Sequence, residues 1–371
     1  MRGQHVTTRH GAIAAFLLVA IVCRAQEKFV NEQYDLQKVA DGVYSFIAPE
    51  QESGVVQANC SVIIGEEAVL LVDSGQFPSL AERMAADIKK LTNKPVRYLV
   101  NTHWHFDHNW GNAVFRDAFP GLVIISTEFT REMVASEGPK TLAKQAGINS
   151  QQAADLRKML DAGKLPDGRT IPSELHRSFR LSADTLEHIN PDLARTVNLP
   201  ASIGFEKELT IHLGKREAKV MWLGRANTAG DAVTWVPDVK LLLTGDAVVY
   251  PTPFAFGSYM SEWPDVLDKM IALNAELVIP GHGPVLHDSS YLKTLAEMFR
   301  VLYSEVKQAV AQGMSLKDAQ KKIALDEFRE KLAGADAFRK MAFHSAFLEP
   351  AIDRAYQEAT GKLKPESEDD Q

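Results

Sequence analysis

The sequence predicts an α/β fold in which two blocks of β-strands, each accompanied by helices, are separated by a helical insertion and followed by a helical extension. Three observations carry this. Short apolar runs divided by glycine turns fill Leu36 to Val72, a helical pattern then joins two strands up to Val100, and strand-length runs resume at Phe205 and continue to Ile279.

Ahead of the first strand, a basic leader (Arg2, His5, Arg9, His10) precedes an apolar run from Gly11 to Cys23 and small or neutral residues before Gln26. This is the layout of a secretory signal peptide, with cleavage expected after Ala25. The run falls short of the roughly 20 residues that span a bilayer, so a retained membrane anchor is not expected. Export would place the mature chain in the periplasm or outside the cell and leave Cys60 as its one cysteine. No internal disulfide then supports the fold. The composition, 45% hydrophobic and 24% charged over 371 residues, is that of a soluble chain able to bury a large core. Its net charge of −7, more negative still without the three leader arginines, argues against nucleic-acid binding, which needs Lys and Arg against phosphates.

Leu36 to Val39, Gly42 to Ala48, Val55 to Gly65 and Ala68 to Val72 read as a meander, with turns at Asp41-Gly42 and Gly65-Glu66-Glu67. Cys60 is expected to point inward, and the glycosylation pattern Asn59-Cys60-Ser61 to go unused within its strand. Leu80, Met84, Ile88 and Leu91 recur at helical spacing from Pro78, with Ser74 or Ser79 available as cap, and lead to the strand Val96 to Val100. Asn109 to Phe119 reads as a short helix and Gly121 to Ser126 as a strand.

From 128 to 198 the pattern turns helical: Glu128 to Ala135, Lys140 to Ala146, Gln151 to Leu160 and Ser182 to His188, with breaks expected at Gly138-Pro139, Pro166-Asp167-Gly168 and Asn190-Pro191. This insertion reads as a cap over a site or as a dimerisation arm. His176 and His188 within it read as surface residues. Glu208 to Leu213 and Ala218 to Leu223 form a hairpin; Ala232 to Val236, Lys240 to Thr244 and Leu277 to Ile279 are strands; Trp263 to Leu273 is a helix. His287 is expected in solvent. The end is helical (Leu292 to Gln312, Ser315 to Ile323, Asp326 to Leu332, Phe343 to Ala359), and Leu295, Phe299, Leu302, Val306 and Val310 mark one packed face before the acidic tail Glu366 to Gln371. The helical segments are also the candidate surfaces for a homo-oligomer. The chain has no internal repeat, phosphate-binding glycine loop or serine nucleophile elbow.

The densest chemistry lies at Asn101-Thr102-His103-Trp104-His105-Phe106-Asp107-His108-Asn109, directly after a strand, where α/β folds usually carry their sites. Three of the chain's 11 histidines and an aspartate fall within six residues. Packing is a poor explanation, since burying so many polar groups unpaired costs several kcal/mol. Imidazole and carboxylate are divalent-metal donors, and a catalytic site needs three protein ligands with one position open.

Read as H-x-H-x-D-H, the stretch resembles the signature of the metallo-β-lactamase superfamily, and four further motifs follow the family order between Leu36 and Leu286. They are Leu70-Leu71-Val72-Asp73-Ser74-Gly75, Gly224 to Asp231, Gly245-Asp246, and Pro280-Gly281-His282-Gly283-Pro284. The resemblance implies a four-layered αββα sandwich, with the superfamily domain at 26–288 between the signal peptide read at 1–25 and the helical extension read at 289–371. It implies one metal on His103, His105 and a bridging Asp246, a second on Asp107, His108, His282 and the same Asp246, and Asp73 behind them as support. Where relatives carry the first site's remaining histidine, this chain has Asn227. An amide oxygen suits harder ions than zinc, so Asn227 is expected to be a weak or vestigial ligand and the second site the tighter one.

By the same resemblance the expected cofactor is zinc, one or two ions, with iron or manganese as alternatives, and the expected partner is a small-molecule substrate. Metal-bound water would attack an ester, thioester, amide or lactam carbonyl, with Asp107 orienting it or shuttling its proton, so that a β-lactamase is one member of the expected range. Two other readings stand beside it: a mononuclear iron oxidoreductase of the same fold, and a non-catalytic binding protein whose metal site has degenerated at Asn227.

Overall fold

The computed structural model describes residues 33–50, 55 and 57–368; the leader expected at 1–25 lies outside them. Two sheets form the centre. The first has seven strands in chain order: β1 (Asp35–Ala40), β2 (Val43–Ile47), β3 (Cys60–Ile64), β4 (Val69–Val72), β5 (Val96–Val100), β6 (Val123–Thr127) and β7 (Ile203–Phe205). The pairs from β1 to β4 are antiparallel and those from β4 to β7 parallel. The second sheet collects β8 (Glu208–His212), β9 (Glu217–Trp222), β10 (Ala232–Val236), β11 (Leu241–Leu243) and β12 (Leu277–Ile279), with only β11 and β12 parallel.

Alternation along each strand decides what each face touches. Ile63, Leu70, Val72, Val100 and Ile125 of the first sheet meet Val220, Val236, Leu241, Leu243 and Ile279 of the second between the two sheets. Their neighbours Val62, Leu71, Leu99 and Ile124 turn outward against α1 (Pro78–Leu91) and, beyond the single turn α2 (Phe106–Asn109), against α3 (Asn112–Ala118). The opposite face of the second sheet, with Val233, Leu242 and Val278, is covered by helices described below. The fold is therefore the αββα sandwich. Its central strands are apolar on both faces because both faces are buried.

The insertion is more continuous than its punctuation suggests. After α4 (Glu128–Ser136), Gly138-Pro139 does not break the chain but starts α5 (Gly138–Ala162), since a proline in the first turn gives up only an amide that has no helical partner. Pro191 lies inside α6 (His176–Arg195). Helices α5 and α6 pack together, and Arg157 joins them through Glu187 at 3.0 Å. The cap of α1 also differs from expectation. Ser74 donates to Asn112 instead, and the Ser79 amide and hydroxyl donate to Asp192 of α6 at 3.0 and 2.6 Å.

The strand expected from Val55 begins only at Cys60. Asn59 leaves the ladder because its amide group is engaged elsewhere: it donates to the Pro280 and Gly283 carbonyls at 2.9 and 2.8 Å and accepts from the Ala48 amide. Cys60 is buried as expected, and burial pushes its thiol pKa well up.

Helix α7 (Trp263–Ala272) and α8 (Ser290–Ala311) cover the second sheet, with Trp263, Phe299, Leu302 and Val306 fully buried. The chain continues through α9 (Leu316–Lys322), α10 (Asp326–Ala333) and α11 (Ala337–Ala342) to α12 (Glu349–Ala359). A π-helical stretch, Phe343–Leu348, joins the last two, and the Ala346 carbonyl within it accepts from the Ala255 amide at 3.0 Å. None of the described helices is long and apolar enough to cross a membrane.

Candidate metal centre

Strand β5 ends at Val100, and within a few residues the chain passes through His103 and His105 into the single turn α2, which carries Asp107 and His108. The end of β4 lies alongside. There Asp73 adopts a left-handed backbone (φ 58°), which Asp tolerates better than most residues. Its carboxylate accepts from the Thr102 amide and hydroxyl, both at 2.8 Å, and its Oδ2 lies 2.7 Å from His108 Nδ1. That bond fixes the ring so that Nε2 faces the centre. His282 is fixed in the same way from β12, with Nδ1 3.2 Å from the Gln57 carbonyl, and His103 Nδ1 lies 3.0 Å from the Thr102 hydroxyl.

Asp246, after β11, lies between two groups of side chains. Its Oδ2 faces His103 Nε2 at 3.9 Å, while its Oδ1 faces His108 Nε2 at 3.1 Å and His282 Nε2 at 3.4 Å. Asp107 Oδ2 is 3.0 Å from His282 Nε2 and 3.5 Å from His108 Nε2. Ligand atoms of His103, His105 and Asp246 lie within 4.8 Å of one another, as do those of Asp107, His108 and His282. Asn227 is wholly buried, and its Nδ2 is 3.5 Å from His105 Nδ1. The structure thus brings together all seven residues singled out by the motifs.

A test of whether these residues fit a cation comes from hydrogen bonding. The Nε2 atoms of His103, His105, His108 and His282, Asp246 Oδ1 and Asn227 Oδ1 are buried and have no hydrogen-bond partner. Buried polar atoms are nearly always paired, and six orphans converging on one place match a donor set arranged for a metal.

The electrostatics point the same way. Burial drives the His103 pKa well below its ordinary value and lowers that of His105 to about 4, so both rings are neutral and able to donate a lone pair. Burial also acts against charge on His108 and His282, but Asp107, Asp246 and, for His108, Asp73 outweigh it, taking His108 well up and His282 to about 9. Burial alone would raise Asp107 and Asp246; the two imidazolium groups reverse this and hold both carboxyls low.

Glycines shape the space. A Cβ on Gly281 would lie 1.9 Å from Asp246 Oδ1, so the residue before His282 is small in order to admit the carboxylate. Phe254 stacks edge-on against His282 with ring centroids 5.5 Å apart. Gln57, Thr102, Asn59 and Phe254 all support or border the centre and were not singled out for it in the sequence. The backbone carbonyl of Gln57 has no sequence signal at all.

Asp73→Asn should leave the fold intact and weaken divalent-metal binding by about 10–100-fold, because the amide no longer orients His108 as a carboxylate does. Chelator competition on the purified variant reads this directly, and an unchanged isotherm would contradict the support assigned to Asp73.

The chain belongs to the metallo-β-lactamase superfamily, whose family model matches residues 53–282. The type 2 metallo-β-lactamase of Bacteroides fragilis is 30% identical over 280 residues, covering 73% of this chain and 87% of that protein. A linear primary-alkylsulfatase from a Pseudomonas species is 22% identical over 280 residues, 73% of this chain and 49% of the relative. Among solved structures, a stereoselective inverting sec-alkylsulfatase from Pseudomonas sp. superposes with a TM-score of 0.61 at 15% identity, covering 88% of this chain and 50% of that one. The chain thus spans about half the length of these alkylsulfatases.

Proposed function

We propose that this chain is a zinc-dependent hydrolase acting on a small-molecule ester, thioester, amide or lactam. The observation that carries the reading is the position of Asp246, one carboxylate oxygen toward each of two groups of buried, unpartnered donors. His103, His105 and Asp246 would hold one ion, and Asp107, His108 and His282 the other. When bound, such ions supply Lewis acidity toward the substrate carbonyl and lower the pKa of water toward neutrality. The chain's own residues do the rest. Asp107, whose Oδ2 lies 3.0 Å from His282 Nε2 at the centre of the second group, would accept the proton of the attacking water. Asp73 and the Gln57 carbonyl keep the two imidazoles of the second group in one orientation. Asn227 contributes at most a weak donor to the first group.

A sulfate ester is the second reading, favoured by the sequence likeness to the linear primary-alkylsulfatase, which aligns with 73% of this chain. The leader sequence supports export to the periplasm or beyond, and cell fractionation tests that placement.

One set of measurements separates the readings. Elemental analysis identifies the metal and its count per chain, and a chromogenic β-lactam, an activated ester and an alkyl sulfate are assayed with the same preparation. Zinc with lactam or ester turnover supports the proposal, and zinc with sulfate release moves it to the second reading. Iron as the bound metal points to an oxidoreductase. No turnover in the natural chain, with turnover gained in Asn227→His, identifies a binding protein with a degenerate site.

A further inference from the structure

After α12 the C-terminal segment runs back over the fold to the edge of the metal centre. The Lys362 amide donates to the Gln357 carbonyl at 2.8 Å, and the Lys364 carbonyl accepts from buried Arg354 at 3.2 Å. Lys144 of α5 then holds the Glu368 carbonyl at 3.2 Å, so the segment is attached to the insertion as well as to the extension. Between these attachments Glu366 turns inward and is only 8% exposed. Its two oxygens accept separately: Oε2 from the Trp104 indole and Oε1 from the Ala229 amide, each at 2.6 Å. The Tyr259 hydroxyl is a third partner. Arg225 and Arg354 lie 4.3 and 5.5 Å from the Tyr259 ring, placing positive charge beside that partner.

The two main donors are not arbitrary pieces of surface. Trp104 stands between His103 and His105, and Ala229 follows Asn227 by two residues. The segments carrying them face each other across the first donor group, where Asn227 Nδ2 and His105 Nδ1 are 3.5 Å apart. With an amide in place of an imidazole, little metal bonding ties the Asn227 loop to the histidine turn. One buried carboxylate spans the same gap from behind.

We propose that Glu366 is a positioning residue for the first metal group, clamping the Trp104 turn to the Ala229 loop and so setting His103 and His105 against Asp246. The inference rests on the hydrolase reading for its purpose but has its own test. Full-length wild-type, Glu366→Gln and Glu366→Ala proteins are titrated with zinc against a competing chelator. Glu366→Ala is expected to weaken one zinc step by about tenfold or more and leave the other within about twofold, the range seen when a ligand's supporting partner is lost. Glu366→Gln, which keeps one accepting oxygen, should fall between. A carboxylate that merely stabilises the fold would lower both steps together, and that result, or no change in either step, overturns the proposal. If the wild type shows a single zinc step, the order wild type, Gln, Ala in affinity supports the clamp and equal affinities overturn it. A wild type that binds no zinc defeats the hydrolase reading; hydrogen exchange at the Ala229 amide then decides, with faster exchange in Glu366→Ala supporting the clamp and equal exchange overturning it.

Discussion

His108→Ala will lower kcat/KM by about a thousandfold or more, on the order of 4 kcal/mol of transition-state stabilisation, on whichever ester, lactam or sulfate the natural chain hydrolyses. Three groups converge on this ring: Asp73 at Nδ1, and Asp246 and Asp107 at Nε2, at 2.7, 3.1 and 3.5 Å. Alanine removes a donor of the second group, so metal affinity falls with activity. Asn227→Ala should lose no more than about tenfold, because an amide oxygen is a poor donor to zinc-like ions beside imidazole. Kinetics and metal content measured on both variants give the comparison. Equal and complete loss in the two would contradict the dominance of the second group.

Gly281→Ala should weaken metal binding at both groups at once. The added methyl would lie 1.9 Å from Asp246 Oδ1 and 2.7 Å from the Gly245 carbonyl carbon, closer than carbon atoms approach without displacement. The backbone has little room to yield. The Gly281 amide donates to Gly245 and Val248, its carbonyl accepts from Asn59, and the Asn59 side chain holds the carbonyls on either side. Asp246 must therefore move, and it is the one residue facing both groups. Overpacking of this kind costs about 1–3 kcal/mol of stability, so circular dichroism should still report a folded chain while metal content drops. Retention of both ions would show that Asp246 is not shared between them.

Much of the fold was legible because the strands obey a period of two and the long helices a period near 3.6. Leu70 and Leu71, or Leu241 and Leu242, divide cleanly between cores on opposite faces of their sheets. The donor set was legible because four of its members, His103, His105, Asp107 and His108, crowd into six residues and the rest sit in short glycine-containing motifs. Other features depended on distant partners. Gly138-Pro139 has the composition of a break, yet it starts a helix because proline is well placed in a first turn. Asn59 leaves its strand for a loop more than two hundred residues away. Glu366 opens what looks like a solvated acidic tail, and its burial is set by an indole and a backbone amide that no local pattern ties to it.

The bond from Ser79 to Asp192 bears on any attempt to trim this protein. Helix α1 has no side-chain cap of its own at Phe77, so the carboxylate that meets its first turn comes from α6. A version shortened by deleting 128–198 would leave that turn without its acceptor, at about 1 kcal/mol, beneath the sheet that presents the histidines. Such a miniature also gives up the apolar cover that Leu186, Ile189 and Leu193 lay over α1.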